Sequence, residues 1–282
     1  MNVLRAETAG FCMGVDLALR KLDTLIEENT GAPVLTFGPI IHNPQVLAEY
    51  DLLGVRVADL PRDIPQGSRV VIRAHGIPRD LEMELDARQA EIHDATCPRV
   101  KKAQILIKRM ASEDRIVLLY GEAEHPEVKG LVSYASAGAF VFDSPEELAE
   151  FPFKPGEKYC LAAQTTQDKV MFQDMAQKLL SKTDIDAVIL ETICDATRDR
   201  QKEALAMARE VEFMIVVGGR DSGNTRRLAK VVADEGVPCV HVETASELPL
   251  ERLRGLSSVG LTAGASTPKK LIDEVQKVLE NL

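Results

Sequence analysis

Across residues 13–29 the apolar side chains Val15, Leu19, Leu22 and Ile26 recur at spacings of four, three and four. That interval lines one face of a helix, which Gly31 and Pro33 stop. Cys12 therefore stands just before a predicted helix. The same placement returns twice. The strand-like run at 91–95 leads to Cys97 and a helix from about Arg99, and the run at 187–191 leads to Cys194 and a helix through Arg198 to Arg209. With 85 residues from Cys12 to Cys97 and 97 from Cys97 to Cys194, the chain divides into comparable thirds, the signature of an internal repeat.

The repeat extends beyond the cysteines. After the first helix of each third an apolar strand ends in a glycine-bearing turn: residues 34–44 with His42, 115–127 with His125, and 213–225 with Ser222. These residues follow the preceding cysteine by 30, 28 and 28 positions. A later strand in each third also ends in a polar tip: His75, then Thr165 and Thr166, then Ser266. Asn43-Pro44, Ser144-Pro145 and Thr267-Pro268 each set a capping residue before a proline at the first helical position. Strands alternating with helices give parallel sheets whose ligands lie outside the carboxyl ends of the strands. The pattern predicts an α/β protein of three similar small domains with mainly parallel sheets, arranged pseudo-threefold around a central site. Their predicted boundaries are 13–96, 97–193 and 194–282, the last completed by the N-terminal strand within 1–12; that strand is expected at 3–6.

Composition narrows what such a site can serve. The 282 residues are 45% hydrophobic and 28% charged, and no apolar run reaches the roughly 20 residues that span a bilayer. The start of the chain lacks the basic stretch and apolar core of a secretion signal, so the cytoplasm is the expected compartment. A net charge of -10 gives no broad basic face for nucleic acid, while leaving room for a small anion held by local dipoles. Five cysteines without a secretion signal argue against a disulfide framework and leave buried thiols or metal ligands. Cys160 and Cys239 fall outside the repeat, in strand-like runs where ordinary burial explains them.

Three converging thiolates could hold zinc with a histidine, or a four-iron cluster with one iron not ligated by protein. Zinc sites usually include a close cysteine pair, and ligands from three separate domains suit a cluster better. His42, His75 and His125, with Ser222, Asn224 and Ser266, supply donors at strand tips and helix starts, suited to phosphate oxygens without lysine. His93 and His241 lie inside strand-like alternations and are expected to be structural. Glu127, two residues beyond His125, would complement a helix N-terminus if purely structural. Near a departing hydroxyl it would be the natural proton donor, with burial raising its pKa.

At these residues the sequence resembles the IspH/LytB reductases. The resemblance rests on GFCMGV at Cys12, DATCP at Cys97 and TICDAT followed by Arg200-Gln201 at Cys194. It also includes RAHG at His75, HPEV at His125, QTT at Thr165, SGNTRRL at Ser222 and TAGAST at Ser266, in one order over nearly the whole chain. It implies one 4Fe-4S cluster on Cys12, Cys97 and Cys194, with one iron not ligated by protein. It also implies reductive dehydroxylation of 4-hydroxy-3-methylbut-2-enyl diphosphate to isopentenyl and dimethylallyl diphosphates, with electrons from a ferredoxin- or flavodoxin-type donor. By the same carry-over His42, His75, Ser222, Asn224 and Ser266 bind the diphosphate, joined by Thr166 and Gly223. His125 and Thr165 orient substrate and protons, and Glu127 supplies the proton. Gly223 stands where the family usually has a second serine. Alternatives from other classes are a zinc hydrolase of a phosphorylated metabolite, with Glu127 activating water, and a non-enzymatic iron–sulfur sensor.

Overall fold

The computed structural model describes residues 1–282, with twelve strands in three four-stranded sheets. The first strand is β1 (Asn2–Arg5), followed by helix α1 (Met13–Glu27). One sheet is built from β2 (Val34–Phe37), β3 (Arg56–Ala58), β4 (Arg69–Ile72) and β5 (Glu91–Asp94), in the order β3-β2-β4-β5. Between these strands run α2 (Pro44–Leu52) and α3 (Arg79–Asp86), and α4 (Pro98–Ser112) follows β5. A second sheet has β6 (Ile116–Tyr120), β7 (Ala139–Phe142), β8 (Lys158–Ala163) and β9 (Asp186–Ile189), ordered β7-β6-β8-β9. Its helices are α5 (Pro126–Val132), α6 (Pro145–Glu150) and α7 (Lys169–Leu180), with α8 (Asp195–Ala208) after β9. The third holds β10 (Phe213–Val217), β11 (Cys239–Val242) and β12 (Ser258–Ala263) with β1 at its edge, in the order β1-β12-β10-β11. Its helices are α9 (Gly223–Asp234), α10 (Leu250–Leu253) and α11 (Lys269–Glu280).

Every strand pair is parallel. The central strands β6 and β10 carry unbroken apolar runs, as strands covered on both faces do; β10, for example, is buried along its whole length. Each sheet uses the same order, with the first and third strands of its own third side by side at the centre. Their connections leave in opposite directions, which opens a crevice at the carboxyl ends of that pair. The tips after β2 and β4, β6 and β8, and β10 and β12 are therefore the places where each sheet can take a ligand.

Compactness divides the chain differently from sheet membership. One unit comprises 1–16, 41–53 and 195–282 and contains the β1-β12-β10-β11 sheet; the other comprises 17–40 and 54–194 and contains the remaining two. In the first unit Phe213, Ile215, Val217, Leu261 and Ile272 pack together on one side of the sheet. In the second, Leu118, Tyr120, Phe142, Tyr159 and Phe172 form a core rich in aromatic rings. No helix is long and apolar enough to cross a membrane.

Local readings hold with small corrections. Asn43 and Ser144 cap α2 and α6, each accepting from the backbone N–H three residues on, with proline at the first helical position. Thr267 does not cap α11. Its hydroxyl donates to the carbonyl of Val217 at 3.0 Å, and the helix begins after Pro268 with no side-chain cap. Helix α1 ends at Glu27 rather than running to Asn29, whose φ of 39° turns the chain out of the helix. The first strand ends at Arg5 rather than Ala6, although the Ala6 amide still bonds Leu261.

Candidate active site

In the second unit the crevice between β6 and β8 holds a buried acid. His125 is the N-cap of α5, and its Nδ1 accepts from the Glu127 amide at 3.1 Å, so the ring proton of the neutral imidazole sits on Nε2. Pro126 and Glu127 form the first turn, which places the carboxyl at the positive helix end. Glu127 is 1% exposed. One carboxyl oxygen accepts from the Thr165 amide at 2.6 Å and the other from the Thr165 hydroxyl at 2.9 Å. Burial outweighs these two bonds and pushes the Glu127 carboxyl from its ordinary 4.5 up to about 7. The group can therefore hold a proton near neutrality and release it. His75, at the tip after β4, lies edge-on to His125 with ring centroids 5.4 Å apart.

The three sheets repeat one backbone device at these tips. After β4, β8 and β12 the chain makes the same tight turn: Gly76 N–H bonds the Arg73 carbonyl, Gln167 bonds Gln164, and Thr267 bonds Gly264, at 3.0, 3.1 and 3.1 Å. Within each turn the cysteine that follows the fourth strand is anchored. Cys97 N–H bonds the Ala74 carbonyl, Cys194 the Thr165 carbonyl and Cys12 the Ala265 carbonyl, at 2.9, 3.0 and 3.1 Å. Thr165 thus joins the acid, through its amide and hydroxyl, to the backbone of Cys194, through its carbonyl.

In the first unit the tips after β10 and β12 gather hydroxyls and an amide. Ser222 caps α9, accepting from the Thr225 amide at 3.3 Å. The Ser266 hydroxyl lies 3.3 Å from that of Ser222 and 3.2 Å from the His42 carbonyl. Asn224 accepts from the Ala265 amide at 3.0 Å and donates to Thr197 at 3.4 Å. Gly219 is required here, because a Cβ would stand 2.6 Å from the His42 carbonyl. Gly223, Asn224 and Thr225 open α9 and are buried, so the helix end offers N–H groups suited to an anion. His241, in β11, bonds the Gly218 carbonyl through Nε2 at 2.7 Å, and His93, in β5, pairs with Glu91 at 2.8 Å.

Cys12, Cys97 and Cys194 are all partly exposed, unpaired in disulfides and positioned at the starts of α1, α4 and α8. Cys97 is the N-cap of α4, and the Cys12 carbonyl accepts the first helical bond of α1, from Asp16. Cysteine sulfur is the ligand type that holds iron–sulfur clusters, so three cysteines make a donor set of the right chemistry for one. Cys160 and Cys239 differ: burial pushes their thiols up to about 12 and about 11, which keeps them protonated.

Of the residues singled out in the sequence, the second unit brings together His75, His125, Glu127 and Thr165, with Thr166 in the adjoining turn. The first brings together Ser222, Gly223, Asn224, Ser266 and the His42 backbone. The sequence reading missed Asp94 and Thr192. Asp94 accepts from both the amide and the hydroxyl of Thr96, 2.9 and 2.5 Å away, and so folds the turn before Cys97. The Thr192 hydroxyl exchanges bonds with both backbone groups of Ala163 at 2.8 and 2.7 Å, fixing the approach to Cys194.

The family model described as LytB protein matches residues 3–280. Over its full length the chain is 56% identical to 4-hydroxy-3-methylbut-2-enyl diphosphate reductase of Nitratidesulfovibrio vulgaris strain DP4, covering 100% of that protein. The reductase of the same name from Geobacter sulfurreducens is 43% identical, over 98% of this chain and 95% of that one. Among solved structures, the E-1-hydroxy-2-methyl-but-2-enyl-4-diphosphate reductase from Plasmodium falciparum matches with a TM-score of 0.92 at 26% identity, covering 100% of this chain and 87% of that one. A second, described as the terminal enzyme of the non-mevalonate pathway, matches with a TM-score of 0.69 at 36% identity, covering 100% of both chains.

Proposed function

The chain belongs to the LytB family, and on that premise we propose that it reduces 4-hydroxy-3-methylbut-2-enyl diphosphate to isopentenyl and dimethylallyl diphosphates. This is the last step of the non-mevalonate route to isoprenoids, carried out in the cytoplasm. Two electrons and two protons enter, the carbon–oxygen bond to the hydroxyl breaks, and the oxygen leaves as water. The observation that carries the reading is Glu127, a buried carboxyl poised near pH 7 and fixed by both polar groups of Thr165.

Cys12, Cys97 and Cys194, one from each repeat, would hold one 4Fe-4S cluster with one iron not ligated by protein. When bound it supplies the electrons and a Lewis-acid position for the substrate oxygen. A ferredoxin- or flavodoxin-type protein is the proposed donor. The domains are those of the repeat, 13–96, 97–193 and 194–282 with 1–12. His42, His75, Thr166, Ser222, Gly223, Asn224 and Ser266 bind the diphosphate, neutral donors and helix-start amides taking the place of lysines. His125, whose Nδ1 is occupied by the Glu127 amide, presents its Nε2–H for orientation of substrate. Thr165 sets the carboxyl, and Glu127 delivers the proton.

An anaerobic assay with the diphosphate substrate and a chemical reductant tests cofactor, substrate and chemistry together. Brown protein forming both five-carbon diphosphates is the expected result. A colourless, zinc-replete protein that hydrolyses a phosphate ester would replace this reading with the zinc alternative.

A further inference from the structure

Beyond Ala6, whose amide still bonds Leu261, the segment leading to Cys12 leaves the sheet, and the backbone groups of Glu7, Thr8 and Gly10 are held by one helix. Arg200 and Glu203 stand one turn apart on α8. Arg200 is buried, and its guanidinium donates to the Thr8 carbonyl from Nε at 3.1 Å and from Nη2 at 2.5 Å, and to the Gly10 carbonyl from Nη2 at 2.8 Å. Glu203 accepts from the Glu7 amide at 2.7 Å, from the Thr8 amide at 3.0 Å and from the Thr8 hydroxyl. Thr8 is thus gripped at its amide, carbonyl and hydroxyl. Two residues on, Gly10 takes a φ of 115°, which redirects the chain to Cys12.

Burying a guanidinium is costly unless its bonds are good, and here the loop carbonyls of Thr8 and Gly10 supply them. The turn before Cys97 is held by Asp94 and the approach to Cys194 by Thr192, both close in sequence or on the adjoining strand. The Cys12 loop draws its side-chain support from a distant part of the chain, and the supporting helix is the one that starts directly after Cys194.

We propose that Arg200 and Glu203 are positioning residues that pre-set the Cys12 loop from α8, the helix that follows Cys194 in the chain. The inference rests on Cys12 being a cluster ligand.

The test follows the thiols rather than turnover. The full-length chain, loaded anaerobically and then stripped with a chelator, is alkylated with iodoacetamide and each cysteine is followed by mass spectrometry. In Arg200→Gln and in the milder Glu203→Ala, Cys12 should react at least about tenfold faster than in the parent chain, the shift expected from losing one charge-assisted hydrogen bond. Cys97 should keep its parental rate. Iron loss from the loaded variants should quicken in step, and Arg200→Lys, which retains a donor, should recover part of both effects. Equal acceleration at Cys12 and Cys97, or unchanged Cys12 in a folded Glu203→Ala chain, would overturn the clamp. A separate arm checks the premise: Cys12, Cys97 and Cys194 should react far more slowly in the loaded parent protein than in the stripped one, while the slow rate of the partly buried Cys239 should be the same in both. Reactive Cys12 there would sink the ligand assignment itself.

Discussion

Replacing Glu127 with glutamine removes one proton and little else. The amide oxygen can still accept from the Thr165 amide, and the Thr165 hydroxyl can rotate to accept from the new NH₂ group, so the turn and α5 should survive. A rise from 4.5 to about 7 means that between these values the folded chain binds this proton more tightly than the unfolded chain does. Its contribution is fully present below the unfolded value and is lost as pH climbs through about 7, a change of about 3 kcal/mol. Glutamine has no such dependence. Unfolding measured at pH 4.5 and pH 8 should therefore show the stability gap between parent and variant moving by about 3 kcal/mol in favour of the variant on going to the higher pH. In the anaerobic assay kcat should fall by roughly 10² to 10⁴ with iron content and substrate binding retained, the loss typical of a missing general acid. The parent's own turnover should decline as pH rises beyond about 7, where the carboxyl is ionised. Near-normal kcat with a full cluster, or a stability gap indifferent to pH, would refute the assignment.

Serine at Cys12, Cys97 or Cys194 should cost bound iron and activity, whereas serine at Cys160 or Cys239 should retain both; iron analysis and the same assay decide, and equal loss from Cys160→Ser would break the repeat reading. Alanine at His42, His75, Asn224 or Ser266 should raise the substrate Kd while the cluster spectrum stays intact, and inorganic pyrophosphate should compete with substrate in the parent protein; four unchanged Kd values would refute the cradle. Gly219→Ala should raise KM more than it lowers kcat, because its Cβ would push the His42 carbonyl away from the Ser266 hydroxyl, and steady-state kinetics with full iron loading will show it.

The architecture was legible because it is periodic. Cysteines before helices, glycine-bearing turns after apolar runs and the near-constant interval between them mark three copies of one unit, and the three sheets share one strand order. Asn43 and Ser144 were readable as caps because the bond they make is local, three residues ahead. The same logic failed at Thr267, where the carbonyl of Val217, 50 residues earlier at the end of β10 in the same third, competes for the hydroxyl. Arg200 and Glu203 left no trace of their purpose, since on a helix surface they resemble any other charged pair. Nothing in the spacing of residues connects them with Thr8 and Gly10. Glu127 lies between these cases: its place at a helix start could be read, but the degree of burial that sets its proton affinity depends on the fold.

The pairing of β1 with β12 sets the order of events during synthesis. β1 leaves the ribosome long before its partner and waits until Ser258–Leu261 has followed. Sheets whose strands are close in sequence can close early, whereas this one depends on a contact between strands far apart in sequence, a slow kind to form. The anchor of Cys12 on Ala265 arrives with it. Cys12, made before Cys97 and Cys194, is thus seated after them, so a chain cut short before Ser258 has neither a docked β1 nor an anchored Cys12, and readiness for metal waits on β12.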